Sequence, residues 1–186
     1  MNSLIALVIV VVLALLIVRY LVVLYNKIVT LKNYVEKSFA NIDVLLKQRA
    51  DEIPELIKVA EKVMTHQSEL FIQLAQLRSR YLTSRKTEEK VQATNQTDVL
   101  LKQVFMLAEN YPELKAIHNL TALQQRLSLL ENRIADRREF FNQSVMLYNI
   151  GIQEFPNLIL AKLLGYQTRS LLNITEGEKQ YDGITL

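Results

Sequence analysis

The hydrophobic pattern divides this chain into two regimes. Residues 4–25, "LIALVIVVVLALLIVRYLVVLY", are apolar except for Arg19. At a rise of ~1.5 Å per residue this run extends about 33 Å, enough to cross a hydrocarbon core of about 30 Å. Arg19 lies near one end, where its head can snorkel to the interface. Tyr20 and Tyr25 suit the aromatic belt. A cleaved signal peptide fits poorly. No basic region precedes the run, no small-residue cleavage site follows it, and the run is longer than a usual signal core. It reads as an uncleaved single-pass anchor.

From Ile28 onward the spacing becomes helical. Ile28, Leu31, Val35, Phe39, Ile42 and Leu45/Leu46 mark one stripe. It resumes after Pro54 through Leu56/Ile57, Val63/Met64, Phe71 and Leu74, and fades in a polar stretch that predicts a surface loop over residues 82–90. A third stripe runs from Val91 to about Glu109, with Val99/Leu100 and Val104 on it. A fourth runs from Pro112 to Phe155, through Leu123, Leu127, Ile134, Phe141 and Ile152. Stripes this long must bury against one another, as a bundle or coiled coil.

Three prolines punctuate the helices: Pro54, Pro112 and Pro156. Pro112 is placed to end one helix and open the next. Pro54 has two readings, a fresh start after a tight turn or a kink within one helix. Pro156 opens "FPNLILAKLLGYQTR", which is too short to span. Its Leu158, Ile159, Leu163, Leu164 and Tyr166, set among Lys162 and Arg169, suit an interfacial helix or a cap over the bundle's end.

The expected organisation is all-α. An anchor occupies residues 1–25, and an antiparallel bundle of three to four helices occupies 26–155. An interfacial or capping segment follows at 156–170, and a flexible tail at 171–186. The 186 residues include 4 Gly and 3 Pro, which leaves little room for a sheet with many hairpins. Absence of cysteine excludes disulfides, thiolate metal sites and lipidation of a cysteine. A net charge of +3 without a basic block gives no reason to expect nucleic acid. Arg19, Lys27, Lys32 and Lys37 follow the span, which predicts an outside N-terminus and a cytoplasmic body.

Some polar residues interrupt the stripes. Arg49 and Arg137 fall on or beside them, with Asp43, Asp51, Glu131, Asn132, Arg133, Asn142 and Asn149 nearby. Buried charge persists only when paired, so these residues predict an internal polar network that sets helix register; the alternative is that the heads snorkel outward. No catalytic constellation emerges. His66 and His118 lie on separate segments without metal-ligand spacing, and no phosphate loop or activated nucleophile is evident. No cofactor, metal or catalytic residue is expected.

Three runs carry a resemblance. "YNKIVTLKNYVEKSFANIDVLLKQRADEIPELIKV", "LAENYPELKA" and "LLENRIADRREFFNQSVMLYNIGIQEFPNLILAKLLGY" cover most of residues 25–166. In that order they resemble the LemA family. Two departures stand out: Glu52 and Glu55 flank Ile53–Pro54 where the family often has Leu and Asn, and Phe141 stands where a Tyr usually precedes the Asn. The resemblance implies a membrane-anchored bacterial helical bundle with no established enzymatic activity. The leading reading is a homo-oligomeric scaffold that organises the lipid bilayer of the plasma membrane, supported by the apolar segment after Pro156; proteins related to the family take part in shaping magnetosome membranes. The alternative is an adaptor for a membrane protease, because some members are encoded beside one. Members with a lipoprotein signal leave a periplasmic body open.

Overall fold

The computed structural model describes residues 2–111 and 118–173. Its elements are α1 (Asn2–Ala60), a 3-10 turn (Thr65–Gln67), α2 (Ser68–Thr83), α3 (Thr87–Ala108), α4 (His118–Gln153) and the short α5 (Asn157–Leu163). Among the described residues there is no strand, so the fold is all-α. Pro112 lies outside the described residues.

By internal contacts the chain forms two compact units. Among the described residues, one combines those up to 35 with 144–169, and the other combines those between 36 and 143 with 170–173.

The second unit is a four-helix bundle, the upper limit of the expected number. Its cross-contacts give the topology. In α1, Asp43 and Ala50 meet Tyr81 and Arg78 of α2. Glu36, Asp43 and Arg49 meet Thr87, Lys90 and Asp98 of α3. Phe39, Arg49 and Glu52 meet Phe141, Glu131 and Arg126 of α4. Numbers rising along α1 therefore meet falling numbers in α2 and α4 and rising numbers in α3, which is up-down-up-down. Ile53, Leu56, Met64, Phe71, Leu74 and Leu123 are among the residues that close the core at one end. Fully burying each aliphatic side chain contributes about 1.5–3 kcal/mol.

Two boundaries differ from the sequence expectation. The loop expected over 82–90 shrinks to three residues, because α3 already begins at Thr87. Glu88 and Glu89 in its first turn complement the positive end of the helix, and the Thr87 hydroxyl donates to Glu36. Val99, expected on the apolar stripe, is exposed, while Thr94, Thr97, Asp98 and Leu101 turn inward. The inward face of α3 is partly polar, so hydropathy alone misplaces its phase.

α1 continues through Pro54 without restarting. A proline has no N–H to give the carbonyl four residues earlier. That carbonyl belongs to Ala50, and Arg78 Nε of α2 donates to it at 2.9 Å. The same guanidinium stands 3.7 Å from the exposed Asp51. A neighbouring helix thus supplies the donor that the proline withholds.

This coupling can be measured on the full chain in detergent by chemical denaturation. Arg78→Met is expected to cost about 1–3 kcal/mol, because a buried carbonyl loses its partner. In a Pro54→Ala background the cost should fall by at least half, since the substituted alanine restores a backbone N–H. Strict additivity of the two changes would reject the coupling.

Candidate functional site

The bundle interior holds a charge network centred on Arg49, which is only 4% exposed. Its Nη1 lies 2.9 Å from Glu131 Oε2 and donates to it. The same nitrogen lies 2.6 Å from Asp98 Oδ1, a close ion pair whose alignment falls short of a hydrogen bond. Arg138 Nη2 donates to the other Glu131 oxygen at 2.6 Å. Two guanidiniums and two carboxylates therefore join α1, α3 and α4. Burial is the largest influence on both acids, and it raises Asp98 despite the opposing pull of Arg49. For Glu131 burial also pushes upward, but Arg49 and Arg138 overcome it and hold the carboxyl below its ordinary value.

A second cluster centres on Asp43. Lys90 Nζ donates to both its carboxylate oxygens, at 2.9 and 2.8 Å. The Tyr81 hydroxyl sits 2.6 Å from Oδ1 and 3.0 Å from the Asp43 carbonyl. Burial, then the hydrogen bond to Asp43, pushes the Tyr81 phenol well above its ordinary value. Lys90 also lies 5.2 Å from the Tyr81 ring centroid. This cluster ties α1 to α2 and α3.

The sequence-predicted network residues thus separate into groups. Arg49 and Glu131 meet, and Asp43 belongs to the second cluster. Asp51 is exposed near Arg78. Asn132, Arg133 and Arg137 are exposed on α4, and the arginine that turns inward is Arg138. Adjacent arginines differ by about 100° around a helix, and only the packed phase selects between them. Asp98 was missed because α3 carries no strong stripe; its signal was the one acid between Thr97 and the apolar Val99–Leu101.

Polar side chains also hold the segment after α5. In the bundle unit, Asn142 accepts from the Leu172 amide and donates to the Leu172 carbonyl, at 2.9 Å each. Asn95 grips the Asn173 amide and Leu171 carbonyl in the same manner, at 2.8 and 2.9 Å. Glu88 accepts from the Ser170 amide and hydroxyl. Residues 171–173 begin the segment expected as a flexible tail, yet they are held in place; residues 174–186 lie outside the described residues.

The other unit contains the apolar run expected as an anchor. Residues 4–25 form the first part of α1 and are nearly all exposed; Arg19, Tyr20 and Tyr25 are exposed with them. By length and composition this helix can cross a membrane. Just beyond the span, Lys27 Nζ pairs with Glu154 Oε2 at 3.3 Å. The pair is half exposed and contributes little energy. Its value is positional, because it puts the end of α4 beside the end of the span. Leu31 packs against Gly151 so closely that a Cβ there would lie 2.3 Å from its Cδ1. Leu24 and Ile28 of the same helix are buried.

Pro156 separates α4 from α5, following a cis peptide bond after Phe155. Asn157 Nδ2 donates to the Gly151 carbonyl at 2.9 Å and fastens the start of α5. At its far end Gly165, with φ 71°, donates to the Lys162 carbonyl while Tyr166 donates to Ala161. This paired cap needs a left-handed residue, which explains a glycine before Tyr166. Asn149 then pairs with both the amide and carbonyl of Arg169. Between these fastenings α5 leaves Ile159 and Leu163 open on one face, and Phe155 in the turn before it is exposed as well. Phe155 is 82% exposed, Ile159 63% and Leu163 81%. Leu164 is also exposed, while Leu158 and Tyr166 are half-buried.

Comparison with known proteins agrees with this architecture. Residues 38–184 match the LemA family, which is most of the chain. The chain belongs to the LemA family. It is also similar to the magnetosome protein MamQ of Magnetospirillum gryphiswaldense, with 31% identity over 67 residues. That match covers 36% of this chain and 25% of MamQ. The Phe141 ring packs edge-on against Phe39, with centroids 5.6 Å apart.

Arg49→Met is expected to lower stability by about 3–5 kcal/mol, because it strands buried acids, whereas Arg137→Met should leave the unfolding midpoint unchanged. Denaturation of full-length protein in detergent checks both. The two acids also give opposite pH dependences. Glu131 titrates lower in the folded state, so its contribution is complete above its ordinary value of 4.5 and is lost as pH falls below it. Asp98 titrates higher, so ionising it costs stability as pH rises above 3.8. Stability measured against pH should therefore lose part of its acid-side decline in Glu131→Gln and show a steeper decline in Asp98→Asn.

Proposed function

We propose that this protein is a non-enzymatic, single-pass scaffold that grips the bilayer twice and self-associates to organise it. The first grip is the apolar span. The second is the open stripe of α5, and its position beside the end of the span is the observation that carries the reading. Exposed apolar residues are ordinary when scattered. Three large ones in a row, capped and fastened at both ends, fit a surface held ready for lipid. Inserting them would contribute on the order of 5 kcal/mol, enough to fix the orientation of this unit at the membrane. Copies oriented alike can then meet through repeated contacts and form rings or lattices. The magnetosome assignment of MamQ supports a membrane role. The basic residues after the span, Arg19, Lys27, Lys32 and Lys37, favour a bacterial plasma-membrane protein with a cytoplasmic body.

The chain has no cysteine, so a single Leu163→Cys carries one fluorophore. In nanodiscs made with brominated lipid, that label should be quenched, while a label at Ser79→Cys should not. Phe155→Glu with Ile159→Glu should abolish the quenching of the Leu163 label and, in the unlabelled chain, reduce large homo-oligomers in electron micrographs to small particles. An unquenched Leu163 label, or a double variant that assembles like the parent, would overturn the two-grip reading. A parent protein that runs small in mild detergent until a membrane protease is added would favour the adaptor reading instead.

A further inference from the structure

A cavity of about 600 Å³ opens between α3 and α4 of the bundle unit. Its volume lies within the ordinary range for small-molecule sites, roughly 300–1,000 Å³. Leu101, Phe105, Ala108 and Leu127 form apolar walls. Arg49, Asp98 and Glu131 converge on it from three helices. Lys102 and Glu109, of opposite charge, also line it.

The hydrogen bonding at this site does not close. Asp98 is 9% exposed; Arg49 meets its Oδ1 at 2.6 Å, whereas Oδ2 has no hydrogen-bond donor among the described residues. Leaving a buried acceptor unmet costs about 1–3 kcal/mol, more when it is charged. A turn of the Asp98 carboxylate would bring Oδ2 to the cavity wall, where an entering group that donates to it recovers that cost.

Charge decides which donor. Arg49, Arg138, Asp98 and Glu131 together are neutral, and Lys102 balances Glu109. An entering cation or anion would be a buried charge without a counterpart, which is unfavourable by several kcal/mol. An uncharged hydroxyl satisfies Oδ2 and disturbs nothing. We propose that this cavity binds a small uncharged amphiphile, whose hydroxyl donates to Asp98 Oδ2 and whose apolar body lies along Leu101, Phe105 and Leu127. The site is independent of the membrane-contact stripe, and its test does not depend on assembly.

The probes are n-hexanol, n-hexylammonium and hexanoate, added to full-length protein in detergent micelles. Methyl NMR of Leu101 and Leu127 reads the cavity directly, and blank shifts at Leu56 report general solvent effects. Hexanol should shift the two cavity methyls saturably, and the two ions should bind at least tenfold more weakly. Ser128→Trp, at an exposed position on the rim, should weaken hexanol at least tenfold without altering any charge. Asp98→Leu should do the same by removing the acceptor. Should that variant fail to fold, Ser128→Trp and the ranking of the three probes still decide. Absence of saturable shifts would mean that only water fills the cavity and would overturn the proposal. So would an ion that binds as well as hexanol, or hexanol binding untouched by Ser128→Trp.

Discussion

A guanidinium placed inside a bundle must be answered on every side that it faces. Arg49 sets that requirement here. Its partners come from α3 and α4, and Glu131 in turn requires Arg138. The fold therefore has to bring three helices to one level before any of these charges is tolerable. Apolar stripes alone permit many relative heights of the same helices. A four-charge cluster permits few, because each misplacement strands a buried ion at a cost of several kcal/mol. The Asp43 cluster repeats the logic with α2, using a lysine and a phenol in place of a second arginine.

The bundle and the long apolar helix before it were legible because they rest on periodicity and length. Ile28, Val35, Ile42, Leu123, Ile134 and Ile152 are buried as their spacing requires. The centre of the network was legible too, since Arg49 interrupts a clear stripe. Its partners were harder. Asp98 sits on a helix whose buried face mixes Thr, Ala and Asp, so no hydrophobic phase announces it. Arg137 and Arg138 are neighbours in sequence, and packing sends one outward and the other inward. The role of Pro54 depended on Arg78, a full helix later in the chain, which no local rule connects to it.

The asparagines teach a related lesson. Asn95, Asn142 and Asn149 each use both ends of an amide to grip the backbone of the chain after α5. Such grips read the main chain and leave no pattern in the side chains that they hold. A segment without a stripe, such as 169–173, then looks free from its own sequence although it is fastened. The information lies in the asparagines, which interrupt their helices for a reason found elsewhere.

The carbonyl of Ala50 carries one more consequence. Two helices with similar stripes can slip past each other by one turn and keep nearly the same apolar contacts. Between α1 and α2 that slip would be cheap by hydrophobic burial alone. It would also move Arg78 about 5.4 Å and leave the oxygen freed by Pro54 facing no donor. The proline thus works as a notch cut in one helix, and the arginine as the pawl that drops into it: an error of a single turn, nearly invisible to the core, becomes a fault that the backbone itself detects.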